Sequence, residues 1–178
     1  MAGLDPLTST LRWEVPLGAP RGANEVERLA DLVGPPVRTG DLLCARSFQA
    51  AVGCVDAQLG NVAWTKSVGG TDAISGDGEL LFGGDASDRL SAWRTPTGDV
   101  AWTSEALMFR GLGAPATVGE SVVYGDSNGT LHWFSRAKGD SQARVTTDGS
   151  AITTPPVSVG GVLIVVTRGG GVFAFRPA

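Results

Sequence analysis

The stretch DAQLGNVAW, residues 56–64, returns as TPTGDVAW, residues 95–102, and these two copies decide the fold. In each copy a glycine and an Asn or Asp come just before Val-Ala-Trp. Glycine, Asn and Asp favour tight turns, whereas an indole that follows such a turn is suited to packing against apolar neighbours. A short apolar strand also precedes each copy. The pattern therefore predicts a repeated hairpin whose second strand carries a packed tryptophan.

The repeat has a period of roughly forty residues, which is the spacing of β-propeller blades. Gly60, Gly98 and Gly139 mark three successive units. Each unit holds a second apolar run led by a glycine turn and breaks at Gly, Asp or Pro roughly every five to eight residues, so it contains strands and no amphipathic helix. Twenty-six glycines and ten prolines agree with many short strands. The sequence predicts an all-β chain of propeller blades, each with four antiparallel strands.

Strand counting gives about four blades, or half of an eight-bladed ring. The last blade lacks its outer strand, which the N-terminal strand is expected to supply. Four blades either close as a small ring or keep eight-bladed curvature, in which case two halves pair head to tail as a homodimer. The predicted divisions are an N-terminal outer strand at 9–17, an inter-blade loop at 18–35, and blades at about 36–70, 71–112, 113–152 and 153–178.

Bulky aromatic side chains are expected to fill the wedge between neighbouring blades, because this space widens outward. The outer strands supply Trp13, Trp64 and Trp102, whereas Ala143 takes this position in the third repeat. The inner strands are predicted to contribute Trp93, Phe134 and Phe175.

Charge and composition exclude several classes of function. The net charge of -4 argues against nucleic acid as a partner, because such binding depends on clustered Lys and Arg. The single histidine, His132, lies in a predicted strand and has no recognisable catalytic partner, so we expect a structural role. The aspartates lie in turns with Gly or Ser, and the glycine runs lack a phosphate-binding lysine. We therefore expect no catalytic residue, metal or cofactor.

The two cysteines, Cys44 and Cys54, flank a predicted hairpin centred on residues 48–51. A symmetrical register places the two sulfurs nearly opposite each other, whereas a one-residue slip puts them on opposite faces. The sequence leaves open a cross-strand disulfide or two inert buried thiols.

One segment breaks the repeat: PRGANEVERLADLVGPPV, residues 20–37. Together with DRLSAWRTPTGDVAW, residues 88–102, and GDSNGTLHW, residues 125–133, it resembles the C-terminal half of the BamB family. Members of that family are propeller lipoproteins of the machinery that assembles outer-membrane β-barrels. The resemblance covers nearly the whole chain from about residue 9.

The resemblance implies a non-catalytic scaffold at the periplasmic face of the outer membrane. Its expected partners are the POTRA domains of BamA, the Bam complex and nascent outer-membrane proteins. Compared with the family, we expect the sequence to lack the signal peptide, the lipidated cysteine and one further contact loop. Val33 replaces a second acidic position of the binding loop. The residues expected to bind the partner are Glu25, Glu27, Arg28, Leu29, Asp31, Arg110 and Leu112.

Two other functions compete with the scaffold. A quinoprotein-type dehydrogenase fragment shares the blade repeat, but the two cysteines are not adjacent, and no axial calcium site can be placed. A generic ligand-binding propeller requires only an exposed aromatic cluster at one mouth of the ring.

Overall fold

The computed structural model describes residues 1–18 and 31–176. Among these residues every regular element is a β-strand, and the all-β propeller predicted from the sequence is confirmed as four antiparallel blades. The strands are β1 Ala2–Leu4, β2 Leu11–Glu14, β3 Leu32–Thr39, β4 Leu42–Ser47, β5 Ala51–Asp56, β6 Asn61–Lys66, β7 Ser75–Gly76, β8 Leu80–Gly84, β9 Leu90–Arg94, β10 Val100–Ser104, β11 Ala116–Val118, β12 Ser121–Gly125, β13 Thr130–Ser135, β14 Ser141–Thr146, β15 Val157–Val159, β16 Val162–Val166 and β17 Val172–Phe175.

Each blade is a meander in which consecutive strands pair, and its strands are called A, B, C and D in chain order. Blade 1 contains β3 to β6, blade 2 β7 to β10, blade 3 β11 to β14, and blade 4 the three strands β15 to β17. Residues in or just before all four A strands line one shared cavity of about 290 Å³. The A strands therefore lie innermost in the ring.

Apolar layers between successive blades form the core. Cys44, Trp64 and Leu81 belong to the layer between blades 1 and 2. The layer between blades 2 and 3 contains Phe82, Trp102 and Tyr124, and the layer between blades 3 and 4 contains Val123, Leu163 and Val165. Because consecutive residues of a strand point to opposite faces, both faces of a middle blade are apolar, and its B strand is buried except at Gly84 of β8.

The outer-strand tryptophans lock each blade onto the next one. The indole N–H of Trp64 donates a 2.8 Å hydrogen bond to the carbonyl of Thr95, and that of Trp102 donates a 2.7 Å bond to the carbonyl of Arg136. Each acceptor lies in the turn between the C and D strands of the following blade. Trp13 makes the same contact with the carbonyl of Ala57 at 2.9 Å. One indole thus contributes both apolar burial and a directed bond at three successive junctions.

The repeated glycine provides the surface on which the indole lies. Gly98 has φ of 72° and Gly139 has φ of 74°, a region that only glycine adopts readily. A Cβ on Gly98 would lie 2.5 Å from a ring carbon of Trp64, and one on Gly139 would lie 2.5 Å from a ring carbon of Trp102. Gly60 is equally close to Trp13. The glycine is thus required by the turn and by the indole above it.

Blade 3 departs from this scheme by exchanging the indole between neighbouring strands. In blade 2 the outer-strand Trp102 pairs with Ala92 on the C strand, whereas in blade 3 Ala143 pairs with Trp133. Both tryptophans are 8% exposed. Blade 3 therefore keeps a tryptophan at this pair of positions, but its indole lies on the C strand instead of the outer strand. The outer strand β14 is exposed along its whole length.

The two ends of the blade array differ. At the first end β2 pairs with β1 rather than with β17, and Trp13, Val15 and Leu17 pack over blade 1. Sequence reasoning missed β1 and expected this N-terminal strand to complete the last blade. Blade 4 instead has three strands, and β17 forms its outer edge. Blade 1 also starts earlier than the predicted boundary at residue 36, because β3 begins at Leu32.

The docked glycine can be tested against a glycine that bears no indole. We expect Gly98→Ala to lower the free energy of unfolding by about 2 to 5 kcal/mol, because it combines backbone strain with overpacking. Gly119 has φ of 56° but open space around its Cβ position, so Gly119→Ala is expected to cost only about 1 kcal/mol. Urea unfolding followed by far-ultraviolet circular dichroism measures both. Equal losses would show that the indole contact adds nothing.

Candidate partner-binding surface

One end of the ring gathers the long loops of the chain. Because the strand direction reverses at each turn, the turns between B and C strands lie at the same end as the connections from one blade to the next. We call this end the loop rim. It consists of the B–C turns at 48–50, 85–89, 126–129 and 167–171, the described connections at 67–74, 105–115 and 147–156, and Asp31, which precedes β3 and bonds to Phe48.

Two exposed phenylalanines lie on the loop rim. Phe109, in the connection between blades 2 and 3, is 78% exposed, and Phe48, in the B–C turn of blade 1, is 40% exposed. Leu32, at the start of blade 1, is also exposed. Aromatic side chains at the surface of a rigid loop supply large contact area to a partner. Sequence reasoning missed both phenylalanines, since neither repeats between blades.

Backbone strain is concentrated on the same rim. Gln49, Asp88 and Phe109 have φ of 50°, 63° and 60°, values that side-chain-bearing residues rarely adopt. Ser9, in the N-terminal hairpin, is the only other non-glycine residue of this kind among the described residues. Such strain persists only where surrounding contacts impose it, and it is enriched at functional sites.

Hydrogen bonds from two blades impose the shape of the 105–115 connection. The carboxylate of Asp88 accepts bonds from the backbone N–H groups of Gly111 at 2.8 Å and Leu112 at 3.2 Å. The carbonyl of Arg110 accepts bonds from the backbone and the hydroxyl of Ser127, at 3.2 Å and 2.8 Å. Phe109 also donates its backbone N–H to Ser87. The loop is therefore ordered before any partner arrives, which lowers the entropic cost of docking.

A buried polar pair supports the side chain of Arg110. Asp126 and His132 are both buried, and the Nε2 atom of His132 lies 2.9 Å from Oδ2 of Asp126. The same carboxylate oxygen accepts a 3.3 Å hydrogen bond from Nη1 of Arg110. The other carboxylate oxygen of Asp126 accepts the backbone N–H groups of Asn128 and Thr130. Arg110 is thus anchored at one end and partly exposed to solvent at the other.

The pair is held in its ionised-aspartate, neutral-histidine form. Burial lowers the pKa of His132, and the bond to Asp126 offsets only part of that effect. Burial alone would raise the pKa of Asp126, but hydrogen bonds from His132, Thr130 and Asn128 hold that pKa below its ordinary value. The neutral imidazole therefore donates from Nε2 to the carboxylate, while its buried Nδ1 has no partner among the described residues.

The buried side chain of Arg46 stabilises the junction between blades 1 and 2. Its side chain is fully buried, and it donates from Nη1 to the carbonyl of Gly69 at 3.0 Å and from Nη2 to that of Gly84 at 2.7 Å. These carbonyls belong to the connection after blade 1 and to the end of β8 in blade 2. An arginine therefore forms hydrogen bonds at each of the two junctions that involve blade 2: Arg46 at the first and Arg110 at the second.

The predicted partner-binding residues fall into three groups. Arg110 and Asp31 form the first, because both side chains reach solvent. Asp31 is exposed at the start of blade 1, and its carbonyl accepts the N–H of Phe48 at 2.7 Å. Leu112 requires a correction, because it is 8% exposed and packs in the layer between blades 2 and 3, so it presents no surface. Its backbone shapes the loop instead. The other calls, Glu25, Glu27, Arg28 and Leu29, lie outside the described residues.

Cys44 and Cys54 face each other across the B and C strands of blade 1. They are direct partners in the register, their Cα atoms lie 4.0 Å apart, and the structure joins their sulfurs in a disulfide. Both are fully buried. The bridge lies beneath Trp64, so it belongs to the blade core rather than to the loop rim.

Within residues 1–18 and 31–176, no group of three or more His, Cys, Asp or Glu side chains is placed to hold a metal ion. Over the same residues, no helix is long and apolar enough to cross a bilayer.

A family model described as outer membrane protein assembly factor BamB matches residues 1–104. The chain belongs to the BamB family. The chain is 40% identical over 165 residues to BamB of Burkholderia pseudomallei, covering 93% of this chain and 43% of that protein. It is 32% identical over 177 residues to BamB of Bordetella pertussis, covering 99% of this chain and 46% of that protein.

The solved structures show the same architecture. The crystal structure of BamB from Moraxella catarrhalis superposes with a TM-score of 0.87 at 24% identity, covering 97% of this chain and 51% of that one. At this identity the match shows the fold alone. The chain thus spans about half the length of the BamB proteins that it matches.

The pair under Arg110 predicts a pH dependence for this BamB-family chain. The folded pKa of His132 lies below that of the unfolded chain, so the unfolded state takes up a proton first as the pH falls. We expect the free energy of unfolding to be highest above about pH 6.5 and to fall below it, by at most about 1.4 kcal/mol per pH unit. Asp126 adds a further loss below about pH 4.

Denaturant unfolding at a series of pH values checks this expectation. The variant His132→Gln keeps a donor for Asp126 but cannot be protonated, so its unfolding free energy should change less between pH 6.5 and 5. Identical pH profiles for the two proteins would contradict the assignment to His132.

Proposed function

We propose that the chain is a non-catalytic scaffold of the outer-membrane β-barrel assembly machinery. It works at the periplasmic face of the outer membrane and binds the POTRA domains of BamA through its loop rim. Nascent outer-membrane proteins are a further partner class. Membership in the BamB family supports this proposal, since relatives of the chain are named as assembly factors.

The observation that carries the proposal is the combination of exposure and rigidity on the loop rim. Phe109 is among the most exposed large apolar residues of the described chain, yet its backbone is strained and hydrogen-bonded to Ser87. Arg110 beside it is anchored by Asp126. An exposed aromatic flanked by a fixed charge is typical of a binding hot spot with a polar rim.

The polar residues of this rim support positioning rather than catalysis. Asp126 and His132 have the residue types of a catalytic pair, but both are buried beneath Arg110. Each of the two carboxylate oxygens of Asp126 is also occupied by donors from the chain. The pair therefore orders the loop.

The proposal predicts that Phe109→Asn weakens retention on an immobilised BamA periplasmic region by tenfold or more, the scale of a lost hot spot. Asparagine tolerates positive φ, so the backbone should persist while the ring is removed. Leu59→Asn is the matched control, because Leu59 is 72% exposed but lies in the opposite turns of blade 1. Equal retention of both variants and the parent would overturn the loop rim as the binding surface.

A second pair of variants tests the charge expected from the family loop. Asp31→Arg on the loop rim should reduce retention, whereas Glu79→Arg, a similar charge reversal on the opposite rim, should leave it unchanged. Loss in both variants would indicate a general electrostatic effect instead of a local contact.

We further propose that the isolated chain pairs with a second copy, as half rings. The outer face of blade 4 exposes apolar side chains at positions whose equivalents are buried in blade 3: Val157, Val159, Ile164, Val166 and Val172. Blade 4 also lacks an outer strand, whereas β2 already docks on blade 1 through Trp13 as an outer strand does. A second copy therefore supplies an outer strand for blade 4 and a surface that covers its apolar face. Burial of this face would stabilise the dimer.

Light scattering after size exclusion tests this pairing. We expect twice the 18.2 kDa chain mass at high concentration, and monomer for Ile164→Lys, which charges the centre of the open face. Val100→Lys is the control, since Val100 is exposed on the outer strand of blade 2. A monomeric parent at high concentration would rule out the half-ring dimer.

A further inference from the structure

A groove runs along the outer edge of the junction between blades 3 and 4. Its volume is about 660 Å³, which is in the range of small-molecule sites. Ala143 and Val145 of β14, with Trp133 of the neighbouring β13, line it on the side of blade 3, while Ala174 and Phe175 of β17 line it on the side of blade 4. Glu120, Gln142 and Arg176 lie among the polar residues at its border. The groove includes Gly119 and Glu120 of the A–B turn of blade 3, so it reaches the end of the blades opposite the loop rim.

The other junctions show what this location normally contains. At the junction of blades 1 and 2 the outer-strand Trp64 lies against the next blade, and at the junction of blades 2 and 3 Trp102 does so. The strand register shows that Ala143 is their equivalent, since all three pair with the corresponding residue of the C strand. The chain therefore fills this position with an indole twice and leaves it as a methyl group here.

The walls of the groove remain suited to an aromatic ring. Trp133 and Phe175 contact each other edge to face, with ring centroids 5.8 Å apart. Unlike Trp64 and Trp102, Trp133 makes no hydrogen bond through its indole N–H within the part of the chain that the structure describes. Arg176 likewise has no ion pair among the described residues, and a guanidinium at the border of an aromatic site favours a π-face.

We propose that this groove binds an aromatic side chain, with an indole as the preferred group, presented by a peptide segment of a partner. The ligand ring takes the place that the outer-strand tryptophan takes at the neighbouring junctions. It packs on Trp133 and Phe175, and the exposed strand β14 lies alongside the segment that carries it. This site is separate from the loop rim, so it extends the proposed scaffold by a second recognition element.

N-acetyl-tryptophanamide is a suitable probe, because it presents an indole without a charged backbone. Titration of the isotope-labelled chain, followed by nuclear magnetic resonance, should give saturable shifts in the signals of the Trp133 indole N–H and the Ala143 methyl group. We expect Ala143→Trp to fill the groove with the chain's own indole and to lower the affinity for the probe at least tenfold. Ala143→Ser leaves the groove open and should bind as the parent does.

The outcomes separate the site from a folding effect and from the proposed scaffold. Far-ultraviolet circular dichroism shows whether Ala143→Trp is folded, and Phe175→Ala, which removes a wall, should also weaken binding. Absence of saturable shifts in the parent, or unchanged affinity in folded Ala143→Trp, would overturn the proposal. Because Ala143→Trp leaves the loop rim intact, its retention on BamA should be unaffected, so each proposal can fail without the other.

Discussion

The contact between an indole and the glycine of the next blade is the interaction on which the architecture depends. Neighbouring blades pack mainly through their faces and diverge toward the outside. Trp64 closes this gap against Gly98, and its N–H bond to the carbonyl of Thr95 fixes the distance between the two sheets. Apolar burial alone is non-directional, whereas this hydrogen bond fixes the position of one blade relative to the next. The same contact recurs at Trp13 and at Trp102, so one device determines how successive sheets are stacked.

Rigidity of the stack explains how strained loops survive on the rim. The 105–115 connection touches the B–C turns of two blades at once, through Asp88 of blade 2 and Ser127 of blade 3. Its shape therefore depends on the spacing between those blades, which the indole contact at Trp102 fixes. The cost of positive φ at Phe109 is offset by these bonds. A side chain displayed in this way loses little further entropy when it meets a partner.

The sequence predicted the blades because their determinants are local and repeated. Gly60 and Gly98 with their tryptophans define both the turn and the period, so the propeller follows from spacing. The exposed rings of Phe48 and Phe109 escaped prediction, since each occurs once and exposure depends on loop geometry. Leu112 was expected in the partner loop from resemblance, but the fold turns it into the core while its backbone shapes the loop. The second strand of the N-terminal hairpin was predicted, but β1 was missed because it is only three residues long and lies outside the repeat.

Departures from the repeat carry more functional information than the repeat itself. The exchange that places Trp133 opposite Ala143 keeps the total bulk of the sheet but moves the indole to the inner strand. The pair of Ala92 and Trp102 one blade earlier shows the other arrangement, in which the indole lies on the outer strand and donates a hydrogen bond to the next blade. In blade 3 the indole on the C strand lines a groove beside the exposed strand β14. The stack is built from one repeated contact between an outer-strand indole and a glycine of the next blade. The junction of blades 3 and 4 lacks this contact, and it is therefore where the scaffold can accept a side chain from another molecule.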